Sequence, residues 1–314
     1  MSALAETAAF IFGLVALGYL AGLAGLLRDE SGDALADFAT TIALPVLLFR
    51  TLATSDFGEA SPWSLWATYF VAVAASWWLG QFITARVFGR DRRASIIGGI
   101  ASGFSNLVLL GLPFTLGIFG AAGVSVLSLI VAIHLPVMLG VSVLLFAFAD
   151  KDGERALGEE ALQFLKALAT NPLVVGIVLG LVWRFLGFTM PALGQRMVDT
   201  FASVAGPLAL FAMGLGLRRF GITANFGPGL TLSVIKLVFM PAVALAMALA
   251  FGLPPLAAKV AVLAAAMPTG INPFLFATRF GTGQALSSNA LTIGTLLAAI
   301  TTAIWLTIVE AVFG

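Results

Sequence analysis

The sequence predicts an all-α integral membrane protein with ten transmembrane helices in two inverted repeats of five. Three observations carry this expectation. The 314 residues are 60% hydrophobic and only 10% charged, with a mean hydropathy of +1.07, whereas soluble domains carry about 25% charged residues. The apolar residues gather into runs long enough to cross a bilayer, whose hydrocarbon core takes about 20 helical residues. Finally, proline-bearing stretches in the first half recur in the second at a nearly constant offset.

Taken in order, the apolar runs place spans at about 4–27, 34–54, 62–88, 94–119, 122–148, 163–187, 190–217, 227–252, 256–280 and 284–312. The first lacks a basic leading region and carries Glu6, so it reads as a retained helix and not a cleaved signal peptide. The longest polar segment, Asp150 to Glu160, divides the chain into a first five-helix repeat (1–149), a cytoplasmic linker (150–162) and a second repeat (163–314). The loops after spans 1, 3, 5, 7 and 9 hold eleven Lys or Arg residues, among them Arg86, Arg90, Arg92 and Arg93. The opposite side holds four: Arg50, Arg184, Arg196 and Lys259. The excess of basic residues marks the cytoplasmic side, which puts both termini outside the cytoplasm of a cell (inner or plasma) membrane protein.

The repeat is read from matched residues. Asp37, Pro45 and Phe49 of span 2 match Asp199, Pro207 and Phe211 of span 7 at one offset of 162. Phe119-Gly120 at the end of span 4 matches Phe280-Gly281 at the end of span 9 at an offset of 161. Five spans per half is odd, so the second copy enters the membrane inverted. Span 9 is interrupted near its middle by Met267-Pro268-Thr269-Gly270-Ile271-Asn272-Pro273-Phe274, and span 4 has a weak centre at Gly103-Phe104-Ser105-Asn106 followed by Gly111-Leu112-Pro113. A proline removes one helical N–H and clashes with the carbonyl four residues back. Freed backbone groups in lipid cost several kcal/mol each unless protein or a watery cavity satisfies them. Asn272-Pro273 reads as the N-cap and first residue of a second half-helix. Such a start aims a positive dipole end at the midplane, where an anion can sit.

At these residues the chain resembles the auxin efflux carrier family, which includes bacterial carriers and the plant PIN-formed auxin exporters. The likeness rests on Leu44-Pro45-Val46-Leu47-Leu48-Phe49, on Asn106 through Pro113, and on Met267 through Ala277. It implies that broken spans 4 and 9 cross, that spans 1, 2, 6 and 7 form a scaffold, and that spans 3–5 and 8–10 form a mobile transport domain moving as an elevator. It also implies that Asn106, Pro113 and Pro273 lie where the family binds organic anions. Asn272 departs from the plant pattern, which has an aliphatic residue there. The long cytosolic loop of many plant members is missing, so regulation through that loop is not carried over.

Individual polar residues inside the spans sharpen the expected site. Asn106 and Asn272, beside prolines in paired broken helices, read as substrate contacts, with interhelical hydrogen bonding as the structural alternative. Lys236 sits near the middle of span 8, where insertion of a lysine costs about 2.5–3.5 kcal/mol, and reads as counter-charge to an anion or as a proton-carrying group. His134, the sole histidine, reads first as a neutral ring bonded to a neighbouring helix and second as a proton relay. Asp37 and Asp199 read as first-turn acids favoured by the helix dipole, and Arg50 and Arg184 as arginines reaching out from span ends. Ser288, Thr292, Thr295 and Thr302 form a stripe that reads as packing.

Absences narrow the function. A net charge of +1 gives no nucleic-acid partner, and the lack of cysteine excludes disulfides and thiol chemistry. No Asp or Glu occurs from Ala94 to Ala149 or from Thr200 to Val309, so an antiporter built on an intramembrane aspartate is disfavoured. There is no acidic metal cluster, nucleophile–base pair or phosphate-binding Gly-rich loop, so neither an enzyme nor a cofactor is expected. The expected function is a secondary carrier of small organic anions, auxin-like monocarboxylates or dicarboxylates, by elevator-type alternating access. The alternatives are a sodium- or proton-coupled symporter of the bile-acid-symporter type and a passive anion channel. Partners are then the anion and the lipid bilayer, with a homodimer among the assembly options.

Overall fold

A computed structural model describes residues 3–54, 61–149, 166, 169–220 and 226–314. The linker expected at 150–162 and the first residues of the sixth span lie outside the described residues. Among the described residues every regular element is helical. Six helical stretches among the described residues are long and apolar enough to cross a membrane: Glu6–Leu23, Glu30–Thr54, Arg92–Ala149, Ala192–Leu217, Phe226–Ala250 and Gln284–Phe313. Two shorter apolar helices, Pro172–Leu186 and Pro255–Ala266, join them. The stretch Arg92–Ala149, at 58 residues, exceeds twice one bilayer crossing. Its backbone turns at Gly120, with φ 63° and ψ −157°, a conformation that favours glycine. The chain forms two compact units.

The first unit holds residues 1–59, 108–132 and 166–219. Its helices are α1 (Ala3–Leu23), α2 (Asp29–Phe38), α3 (Leu44–Thr54), the early part of α6 (Leu112–Ala149), α7 (Pro172–Leu186) and α8 (Ala192–Leu217). In lipid there is no hydrophobic drive between helices, so they associate where small residues let backbones approach. Gly18 of α1 lies on the Phe211 carbonyl of α8, and Gly214 of α8 lies on the Val15 carbonyl of α1; a methyl group at either glycine would run into main chain. Gly176 of α7 packs in the same way on Pro45 of α3, where an added Cβ would stand 2.5 Å from the carbonyl oxygen. Asn171 starts α7 by accepting from the Leu173 and Val174 N–H groups.

Two expectations for this unit need correction. Asp199 is the eighth residue of α8 and Asp37 the ninth of α2, too far along for the first-turn dipole effect. Asp199 instead accepts from Arg50, 3.4 Å away on α3, and from Gln195 at 3.1 Å. Arg50 therefore holds a partner within the unit and does not only reach toward water.

The second unit holds residues 60–107, 133–165 and 220–314. Its helices are α4 (Pro62–Arg86), α5 (Arg92–Gly103), the later part of α6, α9 (Phe226–Val234), α10 (Met240–Ala250), α11 (Pro255–Ala266), α12 (Asn272–Arg279) and α13 (Gln284–Phe313). Gly80 on α4 faces Ser102 on α5, while Gly98 and Gly99 on α5 face Thr84 and Trp77 on α4. Gly229 lets α9 lie on Asn289 of α13. Ala101, Leu232, Ile235, Leu286 and Ala290 fill the space between these helices.

Three π-helical turns, Ala39–Ala43, Leu107–Gly111 and Ile235–Phe239, each end two residues before a proline, at Pro45, Pro113 and Pro241. The wider turn moves the carbonyl four residues back away from the proline ring, which relieves the clash that would otherwise break the helix. The third of these turns carries Lys236.

Candidate functional site

The site is built in the second unit where two helices end early. Asp91 starts α5 by accepting the Ala94 N–H at 2.8 Å. The helix stops at Gly103, and Phe104 adopts an extended backbone (φ −81°, ψ 119°). On the other chain segment α11 stops at Ala266, and Met267 is extended (φ −63°, ψ 141°), the conformation that a following proline imposes on its predecessor. The two unwound stretches meet. The Asn106 N–H donates to the Pro268 carbonyl at 2.8 Å. Gly270 lies alongside Asn106: a Cβ at Gly270 would stand 3.6 Å from the Asn106 Cα, an ordinary packing distance. Met267, Pro268, Thr269 and Gly270 are all buried. Each break thus satisfies part of the backbone that the other exposes, as membrane burial requires.

Asn272 needs a small correction. It is the first residue of α12 and not its cap; Ile271 holds the cap position without a side-chain hydrogen bond, and Pro273 is the second helical residue. Ile271 already has helical dihedrals (φ −70°, ψ −23°). An N-cap side chain works from an extended backbone, so Asn272 has no cap to make.

Lys236 is 1% exposed. Its ammonium donates to the Ala265 carbonyl at 2.5 Å. Ala265 lies in the last turn of α11, where carbonyls lack intrahelical partners and the dipole end is negative. A hydrogen bond to a charged group contributes about 1.5–3 kcal/mol, comparable with the insertion cost of about 2.5–3.5 kcal/mol for a central lysine. One carbonyl therefore roughly offsets the lysine's placement. An ammonium has three donors, and among the described residues no carboxylate pairs with this one.

His134 is also buried, with Nδ1 3.3 Å from the Tyr69 hydroxyl of α4. Its ring meets Phe104 edge-on at a centroid distance of 4.7 Å. Phe104 belongs to the same unwound stretch as Ser105 and Asn106, so the His134 ring stands beside the first break.

Of the residues singled out from sequence, Asn106, His134 and Lys236 gather around this crossing. Asn272 and Pro273 begin the half-helix that leaves it, and among the described residues no hydrogen bond joins Asn272 to the other three. Pro113 belongs to the first unit, where its ring lies 3.6 Å from the Cβ position of Gly206. The Ser288 stripe is packing in part: Thr292 donates to the Phe220 carbonyl at 2.7 Å and Thr302 to that of Ala298 at 2.5 Å. Lys259 pairs with Glu310 at 2.8 Å.

A family model described as "Membrane transport protein" matches residues 3–306, nearly the whole chain. The chain belongs to the membrane transport protein family. It is accordingly a membrane-embedded transporter of a small molecule. A putative malonate transporter of Rhizobium meliloti is 29% identical over 302 residues, covering 92% of this chain and 91% of the relative. An uncharacterized transporter of Escherichia coli K12 is 24% identical over 305 residues, covering 93% of each. Auxin efflux carrier component 3a of Oryza sativa is 30% identical over 139 residues, which is 42% of this chain and 22% of that protein.

Sequence reasoning passed over three parts of this transporter's crossing. Tyr69 is one of only two tyrosines, and a phenol in mid-span is a readable signal. Ser105 sits in the quoted motif but was overshadowed by its neighbour Asn106. The Ala265 carbonyl has no side-chain signal at all; only Pro268, three residues on, announces that carbonyls nearby lose their partners.

Proposed function

We propose that this protein is a secondary carrier of small organic anions, with a dicarboxylate such as malonate as the first substrate to test. The observation that carries the reading is the Lys236 ammonium held on the Ala265 carbonyl beside two mutually bonded helix breaks, with no carboxylate paired to it among the described residues. A buried cation with donors to spare suits a carboxylate ligand, and interrupted helices are the usual substrate frame of secondary transporters. The R. meliloti relative, matched almost end to end, supports the dicarboxylate.

In this reading Asn106 and Lys236 bind the anion, with Pro113, Asn272 and Pro273 shaping the crossing, and His134 with Lys236 carries any coupled proton. The chain crosses the inner or plasma membrane ten times as two inverted repeats, 1–149 and 163–314, with both termini outside. Spans 3–5 and 8–10 move against spans 1, 2, 6 and 7 as an elevator. Proteoliposome counterflow tests the carrier. Internal unlabelled malonate should accelerate and concentrate external labelled malonate. Flux that never exceeds the electrochemical gradient would instead mark a channel, and no flux of any mono- or dicarboxylate would reject the anion class.

A further inference from the structure

A cavity lies apart from the crossing, between α4, the start of α5 and the later part of α6. Its volume is about 820 Å³, inside the range of about 300–1,000 Å³ usual for ligand pockets. None of Asn106, His134, Lys236, Asn272 or Pro273 lines it. The walls are apolar and rich in rings: Phe70, Trp77, Trp78 and Phe82 on α4, facing Val137 and Val141 on α6. Trp78 and Phe82 stack at 5.5 Å, while Trp77 is fixed by donating to Gln81 at 3.0 Å. Trp78, Phe82, Val137 and Val141 remain exposed on the protein surface, so the cavity is a side cleft that opens outward.

The cleft is charged at one end only. Arg86, in the last turn of α4, and Arg92, the first residue of α5, both line it, and no acidic residue does. Neither arginine pairs with a carboxylate among the described residues. Asp91, the nearest acid in sequence, is engaged with the Ala94 N–H. Two arginines above an aromatic trough match one kind of occupant, an anion joined to an apolar chain. Guanidinium forks suit phosphate, and basic pockets between transmembrane helices hold anionic headgroups.

We propose that this cleft binds an anionic phospholipid from the surrounding leaflet, with its headgroup phosphate on Arg86 and Arg92 and an acyl chain along Phe70, Trp78, Phe82 and Val141. The test uses the intact chain in nanodiscs, with phosphatidylglycerol or phosphatidylcholine brominated on the acyl chain. Trp77 and Trp78 then report a bromine in the cleft by fluorescence quenching. At equal mole fraction, brominated phosphatidylglycerol should quench more than brominated phosphatidylcholine, with an apparent preference on the order of tenfold. That excess should vanish in the double variant Arg86→Gln/Arg92→Gln, and in Val141→Trp, which fills the trough and leaves the charge. Equal quenching by the two lipids would overturn the proposal, as would an excess that survives in the double variant. Loss of the excess on adding micromolar decanoate would assign the cleft to a soluble amphiphilic carboxylate and overturn the phospholipid.

Discussion

The indole Nε1–H of Trp305 donates to the carbonyl of Leu237 at 2.8 Å. That carbonyl is four residues before Pro241, which carries no N–H to donate to it. Leu237 lies in the π turn that also carries Lys236. A tryptophan on α13 thus repairs the defect that sets the register of the buried lysine.

Trp305→Phe should therefore destabilise the protein by about 1–3 kcal/mol, the cost of a buried carbonyl left without a partner. In a Pro241→Ala background the Leu237 carbonyl regains a main-chain donor, and the same substitution should cost less. Thermal unfolding of the four proteins in one detergent checks the coupling. Equal losses in both backgrounds would show that the indole bond is unrelated to the proline.

Lys236 makes a sharper functional prediction. Lys236→Met should weaken malonate binding by about tenfold or more, equivalent to about 1.4 kcal/mol, and Lys236→Arg should keep part of the affinity. The measurement is calorimetric titration of purified, folded protein. Wild-type affinity in Lys236→Met would reduce this lysine to a cap on the end of α11.

Orientation is open to chemical labelling. With both termini outside, single cysteines placed beside Arg92 and beside Gly120 should react with an impermeant maleimide from opposite faces, the former from the cytoplasm. Reaction from one common face would reject the ten-span arrangement.

Helix packing predicts a contrast between glycines. A Cβ at Gly229 would stand 2.5 Å from the Asn289 Cβ, whereas one at Gly140 meets nothing within 4 Å. Gly229→Ala should lower the thermal midpoint as α9 is pushed from α13. Gly140→Ala should leave it unchanged or raise it, because alanine favours a helix over glycine by about 1 kcal/mol. Similar midpoints for the two would contradict the close approach at Gly229.

Much of the site was legible because proline and charge act locally. Pro268 fixes the extended Met267 before it, and Gly103 through Asn106 mark the second break, so both interruptions can be read from the residues themselves. Lys236 stands out because lipid penalises a charge wherever it falls. The cap at Asn272 was misplaced by one residue because Ile271 already adopts helical dihedrals, which no side-chain preference reveals. Asp199 was read as a dipole acid because its partner Arg50 lies 149 residues away, beyond any local pattern.

The sequence by itself determined the composition of a membrane protein, where its helices break and which charges lie in apolar runs. These follow from the solvent and from backbone chemistry within a few residues. Only the tertiary structure decided that Asn106 bonds Pro268, that Lys236 rests on the Ala265 carbonyl, and that Trp305 repairs Leu237. In each pair the accepting group is a main-chain carbonyl. Every residue carries one, so its identity leaves no mark on the sequence, and three-dimensional packing alone selects which of them a distant donor reaches.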